Sequence, residues 1–274
     1  MVVIVALAVV SLCAATITGA LGYGYSSISV PIALLLISNR VLNPALVMVE
    51  SSVNGYAVLL NRRAIRAILP RVTFMIVGIV PGVLLGSWFL SGLPVKTVKT
   101  VVYVTLLPLI MTQAAGLRIP LRRERLLALP FGIGVGTLYS LTTISGPPLA
   151  IFFNNQGLTK DEFRVALAVT RVVESVLTLI TYSVLGLLTQ QSGELALWLA
   201  PGVLIGIPLG HALIRKISPE TFRRVCMSFD AWLVAFGLSR IVPPYIGYPV
   251  FAATIVLDAI LLRRFFGKRP AEPS

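Results

Sequence analysis

Histidine occurs once in the 274-residue chain, at His211, and cysteine only at Cys13 and Cys226, both inside apolar stretches. A Cys/His zinc site, a disulfide framework and a Ser/His/Asp catalytic set beyond what one histidine allows all lack their material. No Walker-type phosphate loop is present, so nucleotide hydrolysis by this chain is excluded. Charge is scarce as well. With 12% charged residues against 57% hydrophobic, the composition excludes a soluble enzyme. Acidic residues are the rarer sign, 10 Asp plus Glu against 23 Lys plus Arg. In a soluble protein that surplus suggests nucleic acid, but here the basic residues flank apolar runs and read as topology signals. The expected partners are the lipid bilayer and a small solute, with no nucleic acid, no cofactor and no metal; a homo-oligomer stays open.

What the chain has in abundance is apolar runs, at about 2–18, 28–38, 42–60, 72–91, 97–115, 126–139, 147–154, 163–188, 195–214, 221–239 and 245–262. The runs 28–38 and 147–154 are too short to cross about 30 Å of hydrocarbon at about 1.5 Å per residue. They read as half-helices, each paired with the run before it. The first run looks like a secretory h-region but has no preceding Lys or Arg, so retained structure is expected.

Internal repetition organises these runs. Gly19-Ala20-Leu21, then a polar stretch ending Val30-Pro31-Ile32-Ala33, matches Gly136-Thr137-Leu138, then a polar stretch ending Pro147-Pro148-Leu149-Ala150. Glu50-Ser51 falls opposite Glu174-Ser175, and PGVLLG at 81–86 recurs as PGVLIG at 201–206. The pattern predicts an all-α polytopic membrane protein of two repeats, 1–116 and 124–240, followed by an added helix at 245–262 and a basic tail at 263–274. Repeat 1 holds a hairpin at 2–38 and helices at 42–60, 72–91 and 97–115. Repeat 2 holds a hairpin at 126–154 and helices at 163–188, 195–214 and 221–239.

Sixteen of the 23 basic residues form four clusters: Arg62, Arg63, Arg66 and Arg71; Arg118, Arg122, Arg123 and Arg125; Arg215, Lys216, Arg223 and Arg224; Arg263, Arg264, Lys268 and Arg269. The positive-inside rule assigns all four to the cytoplasm. The segment 126–154 then has to enter and leave on one side, with a non-helical tip at 139–146 held at membrane depth where protein or a water-filled cavity receives its backbone. Each repeat is one re-entrant hairpin and three crossings. An odd number inverts the second copy relative to the first, the architecture of secondary transporters. The N-terminus is expected outside and the C-terminus in the cytoplasm, in a plasma (inner) membrane.

The tips carry the candidate chemistry. Tyr25, Ser26, Ser27 and Ser29 in the first, and Thr142, Thr143, Ser145 and Gly146 in the second, crowd the starts of half-helices, where free N–H groups attract anions. Small residues also let membrane helices pack closely, and that reading stands beside the substrate-binding one. Glu50, with Asn54 one turn on, and Arg171, with Glu174 at i+3, place costly charge inside apolar runs. Arg171 has the planar fork that grips an oxyanion, and Glu50 and Glu174 are available to orient polar groups or carry protons. Alternatively, Arg171 and Glu174 pair with each other as structure. Asp230 and Asp258 are weaker candidates, each alone among apolar residues. His211, Trp88, Trp198 and Trp232 read as interfacial or packing residues.

Taken together, the Gly-rich polar tips leading into Pro31 and into Gly146-Pro147-Pro148, the stretch Phe163-Arg164 after Gly157-Leu158, and the duplicated PGVL(L/I)G helices resemble the sulfite exporter TauE/SafE family of membrane transporters, over about 10–240. The resemblance implies transport of small organosulfur or sulfur oxyanions, such as sulfite, sulfoacetate or another sulfonate, through a site formed by the two tips. The sequence GYGYSS departs from the family, which runs more purely in glycine there. Export by alternating access is the expected function, because each anionic charge leaving an inside-negative cell gains about 2.3 kcal/mol per 100 mV. The alternative is a cation- or proton-coupled carrier using Glu50, Glu174, Asp230 and Asp258. An intramembrane enzyme or a channel subunit finds less support, since no catalytic groups cluster near an interface.

Overall fold

The computed structural model describes residues 2–21, 23–60, 62–115, 124–154, 156, 158–213 and 219–267. The described residues form eleven helices: α1 (Val2–Leu21), α2 (Tyr25–Ala33), α3 (Asn39–Leu60), α4 (Arg62–Gly92), α5 (Val95–Ala115), α6 (Glu124–Thr142), α7 (Gly146–Asn154), α8 (Lys160–Val184), α9 (Gln190–Leu213), α10 (Pro219–Ser239) and α11 (Pro244–Gly267). Each of the eleven apolar runs has become one helix. Four are long and apolar enough to cross a bilayer: Ile65–Gly92, Val95–Thr112, Gln190–Leu213 and Pro244–Gly267. The helices α3 and α8 are as long, 22 and 25 residues, but carry polar side chains into the interior.

Several boundaries differ from the sequence reading, each for a local reason. The second tip is not an eight-residue coil. α6 runs on through Thr142, and the non-helical stretch narrows to 143–145. That extra length is held by α3 and α8: Asn43 Nδ2 donates to the Leu141 carbonyl and Tyr182 OH to the Ser140 carbonyl, giving the helix end the partners that its orphan carbonyls need. α4 starts ten residues before the expected 72, so Arg62, Arg63, Arg66 and Arg71 belong to a helix, and Pro70 and Pro81 lie within it. α11 likewise continues past 262 and includes Arg263 and Arg264. α8 starts at Lys160 because Thr159 and Glu162 form a reciprocal capping box. Arg118, Arg122, Arg123, Arg215, Lys216, Lys268 and Arg269 lie outside the described residues.

The two most extensive helix pairs are α4 with α6 and α9 with α1. The recurring hexapeptide explains both. A Cβ on Gly82 or Gly86 of α4 would run into the Ile133 or Thr137 carbonyl of α6. On Gly206 of α9 it would sit 2.6 Å from Ala15 Cβ and 2.7 Å from the Leu12 carbonyl of α1. Glycine thus brings backbones together where hydrophobic drive is weak, and dispersion supplies the contact. Thr137 Oγ1 also donates to the Gly82 carbonyl across the α4–α6 seam, at 3.1 Å.

Between these pairs, α3 packs on α8 along the middle of the protein, α8 on α4 and α3 on α9, while α10 sits between α5 and α11. Side chains on α4 and α9 such as Leu84, Trp88, Trp198, Leu204 and Ile205 face outward, more than 40% exposed. In water such a belt would drive aggregation; in a bilayer it is the expected surface. The interior is correspondingly polar for a membrane protein, with Ser26, Glu50, Asn54, Ser145, Arg171, Glu174 and Thr178 all buried.

Candidate functional site

Each broken segment turns through one left-handed residue, Gly24 (φ +113°) in the first and Thr143 (φ +58°) in the second. Glycine takes that conformation freely, whereas β-branched threonine is strained in it and has to be held by its surroundings. The holding bonds are local. Thr142 Oγ1 donates to the Leu138 carbonyl at 2.7 Å and accepts from the Ile144 amide at 3.0 Å, while Thr143 Oγ1 donates to the Thr142 carbonyl at 2.6 Å. These two hydroxyls are thus bonded within the turn itself.

The tips meet. A Cβ added to Gly146 would lie 3.1 Å from the Tyr23 ring, so the second tip packs on the first. From that meeting point, hydroxyls reach the buried carboxylates. Ser26 Oγ, in the first turn of α2, donates to Glu50 Oε1 at 2.5 Å; Ser145 Oγ, at the start of α7, donates to Glu174 Oε2 at 2.6 Å. Tyr139 OH of α6 donates to Glu50 Oε2 at 2.9 Å.

Arg171 pairs with Glu50, and this corrects the alternative of an Arg171–Glu174 pair. Its Nη2 lies 2.7 Å from Glu50 Oε1, with the two side chains 4% and 2% exposed. Within one helix the i+3 carboxylate is near in sequence, but Glu174 is turned to Ser145, and α3 brings Glu50 across the bundle. Glu50 thus binds α2, α6 and α8 together through three donors.

Beside this pair lies a small cavity of about 10 Å³, room for about one water molecule. Thr18, Tyr25, Glu50, Asn54 and Arg171 line it, with Val203 and Ile207 of α9 among its apolar walls. Tyr25 OH is fixed by a 2.9 Å bond with Ser11, which itself donates to the Leu199 carbonyl. Of the side chains that line it, two offer buried donors with no partner among the described residues: Arg171 Nε and Asn54 Nδ2. Buried donors without acceptors are costly, and a cavity beside them offers a ligand the vacant position.

Of the sequence candidates, the fold brings Tyr25, Glu50, Asn54 and Arg171 to one cavity and sets Ser26 against Glu50. Ser145 reaches Glu174 one turn further along α8. Ser27 and Ser29 are buried in α2 and do not line the cavity; Ser29 Oγ has no partner among the described residues. Sequence reasoning passed over Thr18, Ser11 and Tyr139. Their signal was available: each is a hydroxyl in a mostly apolar helix of a hairpin.

The remaining candidates do not join this network. Asp258 accepts from Ser228 at 2.7 Å between α11 and α10, and Asp230 is buried with neither oxygen bonded among the described residues. His211 is exposed near the end of α9, 3.1 Å from the Ile207 carbonyl. Among the described residues no group of three or more His, Cys, Asp or Glu could hold a metal.

Two further side chains hold α2 from below. Lys99 Nζ donates to the Leu34 carbonyl, and Tyr103 OH, one turn on along α5, to the Pro31 carbonyl at 3.0 Å. A cation at the C-terminal end complements the half-helix dipole, whose positive end points back towards Ser26 and Glu50.

Neither a curated protein nor a solved structure matches the chain. A family model does: the one described as sulfite exporter TauE/SafE covers residues 7–240, which takes in both broken segments, the Glu50–Arg171 pair and the whole cavity lining. With most of its length matched, and apolar helices that can span a bilayer, this chain belongs to the sulfite exporter TauE/SafE family of membrane transporters.

Proposed function

We propose that the protein is a secondary transporter of small sulfur oxyanions, sulfite or an organic sulfonate, which it carries by alternating access through the cavity beside Arg171. The observation that carries this reading is the pair of unpartnered buried donors, Arg171 Nε and Asn54 Nδ2, on residues lining a cavity next to the start of half-helix α2. A guanidinium edge, an amide and the positive end of a helix together suit an oxyanion and leave a cation poorly served. Glu50 neutralises Arg171 in the empty site, so the charge is not stranded between transport events.

The same reading takes 1–116 and 124–240 as inverted repeats, each a re-entrant hairpin and three crossing helices, with α11 added. Two pairs of matching relationships support it. α4 lies along α6 as α9 lies along α1, and Ser26 bonds Glu50 as Ser145 bonds Glu174. In each pair a residue or helix of one half finds its repeat equivalent in the other. Rocking of the halves about the meeting tips then exposes the cavity to either side in turn. The N-terminus is outside and the C-terminus in the cytoplasm of the inner membrane, as the basic clusters require.

Flux into proteoliposomes with a panel of sulfite, sulfonates, sulfate and carboxylates tests the function. Saturable transport of a sulfur oxyanion, abolished by Arg171→Ala, is the expected result. Competition by metal cations with none by any anion would overturn it.

A further inference from the structure

The middle of the bundle holds two glutamates in matched positions with unmatched partners. Glu50 accepts from Ser26, Tyr139 and Arg171, a set that satisfies an ionised carboxylate and balances its charge. Among the described residues, Glu174 accepts from Ser145 alone, its other oxygen is buried without a donor, and no cation lies within salt-bridge distance of it. Thr170 and Thr178, one turn to either side on α8, also hold buried hydroxyls without partners among the described residues.

The charge count around Glu174 follows from the helices packed against α8. α3 contributes Glu50, α6 contributes Tyr139, and α8 itself contributes Arg171. α7 has no titratable residue, and α4 keeps its arginines near its start, with Arg71 towards Glu162 at the entrance to α8. Arg171 and Glu50 cancel. An ionised Glu174 would therefore leave the empty centre with one uncompensated negative charge, and an arriving anion would make it two in a medium of low dielectric. Buried charge without a partner is disfavoured, and the second charge makes neutralisation of Glu174 far more favourable once the anion is in place.

We propose that Glu174 is the proton-carrying residue of this transporter, loading a proton when an anion enters beside Arg171, while Glu50 remains the fixed salt-bridge partner of the guanidinium. This rests on the anion site proposed above. The proton comes from water on the side to which the cavity is open, sits on Glu174 as a carboxyl O–H, and leaves to the other side with the anion. For a singly charged anion the loaded state then moves no net charge, so the membrane potential neither drives nor opposes it. An acid exterior favours uptake of such an anion. Doubly charged sulfite keeps one charge for the potential to expel.

Methanesulfonate is the probe, because its single charge does not change with pH. Its Kd for the purified protein should be flat at acid pH and weaken by about tenfold per pH unit above the Glu174 titration. Glu174→Gln, neutral at every pH, should bind it with a Kd that does not change with pH. An infrared difference spectrum should show the wild-type carboxylic C=O band disappear over the same range, and that band should be missing from Glu174→Gln. Should the Gln variant not fold, Ser145→Ala serves, since loss of the donor that favours the charged form moves the break to higher pH. A flat wild-type profile, a Gln variant with the wild-type slope, or an unmoved break in Ser145→Ala would overturn the assignment. Absence of methanesulfonate binding at every pH counts against the anion site instead, and the infrared band still decides whether Glu174 holds a proton.

Discussion

Replacing Arg171 by Met removes the cation from a carboxylate that is 2% exposed and keeps only the Ser26 and Tyr139 donors. Breaking one side of a buried pair typically costs about 3–5 kcal/mol, because the remaining charge stays desolvated. For a chain of this size that corresponds to a fall in Tm of roughly 6–10 °C. Adding Glu50→Gln to the same protein removes the stranded charge, keeps one carbonyl oxygen for Ser26 or Tyr139, and should recover most of the loss. The double-mutant cycle should therefore give a coupling of about 2–3 kcal/mol, at the upper end for residues in direct contact. Thermal unfolding in detergent measures it, and methanesulfonate binding separates structure from function. The double variant should be stable again yet still fail to bind the anion. A single variant that loses less than about 1 kcal/mol would mean that water reaches the pair. A double variant that binds normally would remove Arg171 from the site.

Three other outcomes are expected. Gly206→Ala places a Cβ 2.6 Å from Ala15 Cβ, and should cost about 1–3 kcal/mol and separate α9 from α1; unchanged thermal stability would refute the close approach. Thr143→Gly relieves a left-handed threonine and should raise stability by about 1 kcal/mol, less the loss of the Oγ1 bond to the Thr142 carbonyl, measured by the same melts. Single cysteines placed at 118 and at 160 should react with an impermeant reagent from the same face of the membrane; labelling from opposite faces removes the re-entrant second hairpin.

Much of the fold was legible because membrane burial leaves a strong imprint on sequence. The apolar runs 28–38 and 147–154, eleven and eight residues, were too short to cross a bilayer, and α2 and α7 are nine residues each. The hexapeptide at 81–86 and 201–206 marked the repeat, but not the close helix contacts that its glycines make. The partner of Arg171 was not legible. Glu174 is three residues away and Glu50 is 121, and periodicity along one helix carries no information about what a second helix brings across the bundle. The true length of the second tip was hidden for the same reason, since Asn43 and Tyr182 hold the end of α6 from distant points in the chain. Tyr139 was expected in the non-helical tip and proved to be a helical donor to Glu50.

The bond from Arg171 to Glu50 has one more consequence. Glu50 takes the Nη2 edge of the guanidinium and leaves Nε open, so on the proposed reading an oxyanion meets a cation already half spent. Its grip would thereby be capped, and its release on the far side eased.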